Sequence, residues 1–147
     1  MPAGLLRRLG ALLYDSLLLL AIFMIATALL LPLTGGEAIA SGSHPLLELL
    51  YRLVLLGLVV LFYGAFWTRR GQTLGMAAWH LRVERVDGAL LTWGDTVRRL
   101  AAAALSLLPV GLGFLWILLD PQQRAWHDRL SRTRVIVVPK SAARRNA

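Results

Sequence analysis

The amino-acid sequence predicts an all-α polytopic membrane protein with about three membrane segments and a small cytoplasmic β element. Hydrophobic residues make up 57% of the 147 residues and charged residues only 16%, whereas soluble domains average nearer ~25% charged. Uncharged runs also alternate with clusters of arginine along the chain. Because a helix needs about 20 apolar residues to cross a bilayer, these runs are candidate membrane segments.

The basic residues are expected to contact lipid headgroups. Sixteen Lys and Arg against eight Asp and Glu give a net charge of +8. They flank the apolar runs, so anionic headgroups are the expected partner and nucleic acid is not. The chain has no cysteine, which excludes disulfides, thiolate catalysis and cysteine-based metal sites.

The first two membrane segments follow from the longest uncharged runs. The first extends from Leu9 to about Leu33 and is interrupted only by Asp15. Its length and this acid argue against a cleaved signal peptide. The second covers residues 53–68 and is extended outward by residues 46–50.

The third segment, Leu100 to Leu119, has two possible arrangements because it contains the helix-breaking run Pro109 to Gly113. The positive-inside rule puts the N-terminus and the arginine-rich connector, residues 69–99, in the cytoplasm. A full third span would then put the basic tail outside. Two half-helices that turn at the Pro-Gly run would return it to the cytoplasm, and the charge distribution favours this re-entrant arrangement.

Period-two alternation indicates the β element. Residues 81–86 alternate and end at Asp87-Gly88, so a hairpin with residues 89–92 is predicted. Residues 134–138 are a further strand candidate. The two pieces can pair only if they lie on one side of the membrane.

Asp15 is the most informative single residue, because an acid within a membrane helix should face the protein interior and have a partner. It is either a proton or cation site or a structural contact between helices. Arg8 lies about 10 Å away along the helix axis, so it is not the expected direct partner. Arg98 or Arg99, at the head of the third segment, are better placed.

The sequence Trp126-His127-Asp128-Arg129-Leu130 is the second polar cluster. Consecutive helical residues point in different directions, so these side chains are not expected to converge on one reacting atom. Asp128 is expected to cap or hold a short interfacial segment. No nucleophile–base pair and no metal-ligand spacing is found, so neither an enzyme nor a metal or cofactor site is predicted.

Two shorter motifs are predicted to shape the connector. Residues 71–75 lack the rest of a nucleotide-binding loop, so they are predicted to form a turn before an interfacial helix at about residues 74–80. Thr92 or Asp95 is predicted to cap the helix that follows.

Together these motifs resemble the RDD family of bacterial membrane proteins, named for one Arg and two Asp. The match rests on Arg8 and Asp15 in the first helix, the Gly71-Gln72-Thr73-Leu74-Gly75 run, and the terminal cluster with Asp128. The resemblance implies a membrane domain over residues 3–138, followed by a basic disordered tail, residues 139–147. Met76 replaces a lysine common in the family, and Ser131-Arg132-Thr133 replaces its usual Ala-Gly-Thr.

The resemblance implies a location in the bacterial cytoplasmic (inner) membrane and a transport-related role, with cation/proton exchange as one form. Arg8, Asp15 and Asp128 are then the candidates for the ion or substrate pathway. With so few spans, transport would need a homo-oligomer or a membrane partner protein. The alternative function is a non-transporting scaffold or assembly partner that uses the same residues for packing.

Overall fold

Two long helices and a layer of short helices and strands form the fold. This computed structural model describes residues 3–34, 44–107, 116–118, 120 and 124–139. In chain order the elements are α1 (Leu5–Leu30), a 3-10 turn (Leu31–Thr34), α2 (Pro45–Arg69), α3 (Leu74–Ala78), β1 (Leu81–Arg85), α4 (Trp93–Leu107), a 3-10 turn (Trp116–Leu118), α5 (Trp126–Leu130) and β2 (Thr133–Val137).

Helices α1 and α2 have the length and composition of membrane spans. Their 26 and 25 residues correspond to roughly 37–39 Å at 1.5 Å per residue. Most of their large apolar side chains are exposed, including Leu17, Leu29 and Leu56, whereas a core helix of a soluble protein would bury them. Within the described residues these are the two helices that could cross a membrane.

The two long helices run antiparallel. The hydroxyl groups of Thr27 on α1 and Tyr51 on α2 lie 2.7 Å apart, which aligns the end of one helix with the start of the other. The other end of α1 packs against α3, and the other end of α2 packs against α4. The short elements therefore gather around one end of the helix pair.

The sheet has two antiparallel strands, β1 and β2, with Leu81 opposite Val137 and Arg85 opposite Thr133. The predicted strand at residues 134–138 is therefore present, one residue earlier. The predicted hairpin with residues 89–92 does not form. Ala89 accepts one hydrogen bond from Arg85, and the chain then enters the cap of α4. Strand β2 pairs with β1 instead, because its inward side chains Thr133 and Val135 complete the core.

This pairing places the connector and β2 on the same side of the helix pair. Pairing of these two pieces was expected only if they lie on one side of the membrane. The predicted break at Pro109 to Gly113 and the basic tail from Lys140 lie outside the described residues.

Helix α4 buries polar side chains and exposes apolar ones. Thr92 and Asp95 form a reciprocal cap at its start: Asp95 N–H donates to Thr92 Oγ1 at 3.2 Å, and Thr92 N–H donates to Asp95 Oδ2 at 3.0 Å. The buried side chains share one stripe and are polar or small: Asp95, Thr96, Arg99, Ala102 and Ser106. Apolar Val97 and Leu105 point outward. The helix therefore presents its polar face to the protein interior.

Candidate functional site

A fully buried carboxylate, Asp128, joins the first helix to α4 and α5. Its Oδ2 accepts a hydrogen bond from the Arg8 guanidinium of α1, and its Oδ1 lies 2.6 Å from Nη1 of Arg99 on α4. The backbone N–H of Ala125 also donates to Oδ2, at 3.1 Å. Asp128 therefore caps α5, as expected from the sequence, and also forms ion pairs with the side chains of Arg8 and Arg99.

The two arginines keep Asp128 ionised. Burial alone would raise the pKa of this carboxyl group, but the guanidinium groups of Arg99 and Arg8 outweigh burial and hold the pKa well below its usual range. Two guanidinium groups share one carboxylate, so the cluster of Arg8, Arg99 and Asp128 carries one excess positive charge.

Arg99 is held on several sides. Its Nη1 also donates to the hydroxyl of Thr133 at the start of β2, and its guanidinium carbon lies 5.3 Å from the centroid of the Trp67 ring, within cation–π range. Its position fixes α4 against both α2 and the sheet.

His127 lies beside Asp128 in the interior, with its Nε2 3.5 Å from Asp128 Oδ1. Burial, with the charge of Arg99 next in importance, lowers the pKa of His127 to about 3, so the imidazole is neutral at neutral pH. The cluster's side chains do not all point one way, because Arg129 turns outward to Asp120 and Trp126 and Leu130 are exposed. Because the short helix α5 is embedded on one side, two consecutive residues are both buried.

Asp15 has neutral partners from the start of α3. Its Oδ2 accepts a hydrogen bond from the Thr73 hydroxyl at 2.5 Å, and its Oδ1 accepts one from the Gly75 N–H at 2.9 Å. The Thr73 hydroxyl also accepts from Met76 N–H at 3.1 Å and so caps α3. Residues 71–75, which were predicted to form a turn, therefore supply both of these hydrogen-bond donors to Asp15.

Glycine is required at position 75 because α3 approaches α1 very closely. A Cβ atom there would lie 2.3 Å from the Ala11 carbonyl oxygen and 2.7 Å from Asp15 Oδ1. Gly71, at the start of the run, has φ of +66°, and its carbonyl accepts from Val83 N–H at 2.7 Å. The two glycines thus place Thr73 over Asp15.

The arginines proposed as partners of Asp15 have other partners in the structure. Arg98 pairs with Asp95 at 2.9 Å, and Arg99 pairs with Asp128. Donors of α3 occupy both oxygens of Asp15 instead. The sequence suggested the arginines because they lie at the head of the third segment, but a threonine hydroxyl and a backbone N–H can also donate hydrogen bonds to a buried carboxylate.

A cavity of about 150 Å³ lies beside Asp15. It is lined by Arg8, Ala11, Leu12, Asp15, Tyr63, Trp67, Met76, Arg99, Leu100, Ala103, His127 and Val135. Tyr63 and Trp67 were not among the site residues identified from the sequence. Their spacing of four residues, which puts both rings on one face of α2 with centroids 4.7 Å apart, is the signal that could have placed them at the site.

These features define a small membrane protein that carries a buried cluster of arginine and aspartate beside a largely apolar cavity. The family model of the RDD family matches residues 2–132. The chain therefore belongs to the RDD family. No curated protein and no solved structure matches the chain.

Proposed function

We propose that this protein is transport-related and moves an ion or small solute, with Asp15 as the group that gains and loses a proton. The proposal rests on the surroundings of this carboxylate. It lines the cavity. Among the described residues it accepts hydrogen bonds from neutral donors and forms no ion pair. Cation/proton exchange is the form that the proposal takes for an ion.

The contrast between the two buried acids supports this assignment. Two guanidinium groups stabilise the charged form of Asp128, so this residue is a fixed anion. Hydrogen bonds from a hydroxyl and an amide hold Asp15 in place without a neutralising cation. An ionisable group inside a membrane protein that lacks a fixed counter-ion is suited to proton or cation exchange.

Arg8 and Asp128 belong to the pathway by setting the charge around Asp15. Arg8 lines the same cavity as Asp15 while it pairs with Asp128. A change of charge at Asp15 therefore alters the field at the Arg8–Asp128–Arg99 cluster across the cavity. The proposed role is not enzymatic.

The proposed setting is the cytoplasmic (inner) membrane of a bacterium, with the N-terminus in the cytoplasm and exposed arginines at anionic headgroups. A single copy with two candidate spans can hardly enclose a pathway. We therefore propose a homo-oligomer or a membrane partner protein, whose contact surface would be the exposed apolar faces of α1 and α2.

The proposal is tested by ion flux into proteoliposomes, comparing the native chain with Asp15→Asn. Asn keeps the shape of Asp but cannot titrate, so we expect normal insertion and loss of proton-coupled flux. Ser16→Ala is the matched control, because Ser16 is the neighbouring polar residue of α1 and is exposed. Equal flux in Asp15→Asn and native protein would contradict the proposal.

The second candidate function is a non-transporting scaffold or assembly partner. The Asp128 cluster favours it, because this cluster joins α1, α4 and α5 as a purely structural contact would. In that case native protein would show no flux of any ion tested, and Asp15→Asn would change oligomeric state or yield.

A further inference from the structure

We propose that the cavity beside Asp15 binds a small zwitterion, a molecule of amino-acid type that carries one carboxylate and one ammonium group. This inference deepens the proposed function. It rests on that function only for the statement that the ligand is a transported substrate. The binding site itself is argued from the charges, hydrogen-bonding capacity and size of the cavity.

One wall of the cavity has positive charge in excess. Arg8 and Arg99 both line it and share the single carboxylate of Asp128. His127 adds no charge, because its Nε2 lies against Asp128 among groups that keep the ring neutral.

Arg99 also has hydrogen-bonding capacity to spare. Its side chain is 6% exposed, and its Nη1 serves both Asp128 and Thr133. No described residue accepts a hydrogen bond from its Nε or Nη2. A ligand carboxylate in the cavity can take these donors in the bidentate geometry that guanidinium groups favour.

Asp15 adds to the lining of the cavity a carboxylate that those arginines do not pair with. Asp15 forms no ion pair with Arg8 or Arg99 among the described residues, although all three line the same cavity. Each of its oxygens accepts one hydrogen bond, whereas a carboxylate oxygen can accept two. Asp15 can therefore accept from an ammonium group.

The size of the cavity limits the ligand to a few non-hydrogen atoms. An apolar protein cavity of ~150 Å³ binds benzene, and this cavity has about the same volume, 150 Å³. Glycine and L-alanine are of similar size or smaller. The small side chains of Ala11 and Ala103, with Leu100, supply apolar wall for the carbon atoms between the two charges.

A zwitterion satisfies this cavity better than a single ion does. A lone anion at the arginines would be repelled by Asp15, and a lone cation at Asp15 would be repelled by the arginines. A molecule with both charges neutralises the excess charge of the arginines and the charge of Asp15 at once, in a protein interior where an unpaired charge is costly.

The test is equilibrium binding to the full chain in lipid nanodiscs at neutral pH. We expect glycine and L-alanine to bind at least ~10-fold more tightly than acetate or methylammonium, which each lack one charge. Leucine, whose side chain is larger, is expected to bind at least ~10-fold more weakly than alanine. Acetate or methylammonium binding as tightly as glycine would overturn the proposal in favour of a simple anion or cation site, and absence of glycine binding would also overturn it.

Two leucine substitutions on α4 provide a matched pair. Ala103→Leu fills the cavity without changing any charge and should abolish glycine binding, whereas Ala104→Leu lies on the exposed face and should leave it unchanged. Binding retained in a folded Ala103→Leu protein would overturn the proposal. If that variant fails to fold, the comparison of native protein with Asp15→Asn, which should bind glycine at least ~10-fold more weakly, decides.

The experiment separates this inference from the proposed function. Proton-coupled ion flux without glycine binding would keep the transport role and overturn the zwitterion site. Glycine binding without uptake of labelled glycine or flux of any ion would keep the site and overturn the transport role.

Discussion

Arg8 donates to the carboxylate of Asp128 across 120 positions of the chain, so one ion pair fastens the start of the first helix to the last helix. Both side chains are almost completely enclosed. The two residues differ in their other contacts, because Asp128 also pairs with Arg99, whereas Arg8 Nε donates to the Ala3 carbonyl oxygen at 3.0 Å.

This asymmetry predicts that Asp128→Asn destabilises the protein more than Arg8→Gln. Asn leaves two buried guanidinium groups without a counter-charge, which should reduce the free energy of unfolding by ~3–5 kcal/mol. Gln at position 8 leaves the intact pair of Asp128 with Arg99, so the loss should be nearer ~1–3 kcal/mol. Thermal unfolding in detergent measures both, with Arg7→Gln, at an exposed position of the same helix, as control. An equal or larger loss of stability in Arg8→Gln would contradict the view that Asp128 neutralises both arginines.

Gly75→Ala should disrupt the docking of α3 on α1. The added Cβ would lie 2.3 Å from the Ala11 carbonyl oxygen, so α3 must move away from Asp15, at a cost of ~1–3 kcal/mol. Gly57→Ala on α2 is the matched control, because nothing lies within 4 Å of its added Cβ. That control should be neutral or stabilising by ~0.5–1 kcal/mol, since alanine favours the helix. Equal stability of the two variants would show that α3 is not held at this distance.

His127 predicts how stability depends on pH. Its pKa is lowered to about 3 in the folded protein from the ordinary value near 6.5, so the unfolded chain binds the proton first as pH falls. Stability should therefore be full above pH ~6.5 and fall below it by up to ~1.4 kcal/mol per pH unit. His127→Gln cannot titrate and should flatten this slope between pH ~6.5 and ~4. Below pH ~4, protonation of Asp128 adds a further loss, because the pKa of that group is depressed. A slope unchanged in His127→Gln would assign the pH dependence to other groups.

The sheet register predicts a specific cross-link. Glu84 lies directly opposite Arg134, and opposite residues in antiparallel strands have Cβ atoms about 4.5–5.5 Å apart. Cysteines at these two positions should form a disulfide under mild oxidation, and the chain has no other cysteine to interfere. Cysteines at Arg82 and Arg134, two residues out of register, are the control. Preferential cross-linking of the control pair would mean a different register.

Topology reporters test the side of the membrane on which each part lies. Fusions after Gly42, Asp87 and Lys140 are expected to report outside, inside and inside, from the arginine distribution and the strand pairing. An outside signal at Lys140 would contradict the shared side of β1 and β2.

The sequence predicts the parts of this fold that depend on composition and misses those that depend on long-range contact. The uncharged runs locate α1 and α2, and the Thr92–Asp95 spacing locates the cap of α4. The partner of β1 was assigned to residues 89–92 because they are next in sequence, while the buried side of β2 decides the pairing. Asp15 was identified as a buried acid and Asp128 as a capping residue, yet their partners Thr73 and Arg99 were not identified, because neither is marked by its spacing from them.

The pairing of β1 with β2 also sets an order of events during synthesis. Strand β1 ends at Arg85 and its partner begins at Thr133, so about fifty residues must be made before β1 can be paired. At ~5–20 residues per second, the exposed edge of β1 waits for several seconds after it leaves the ribosome. During that time Asp128 is also absent, and the guanidinium groups of Arg8 and Arg99 lack its carboxylate. Residues 128–137 therefore complete both the sheet and the charge balance of the site.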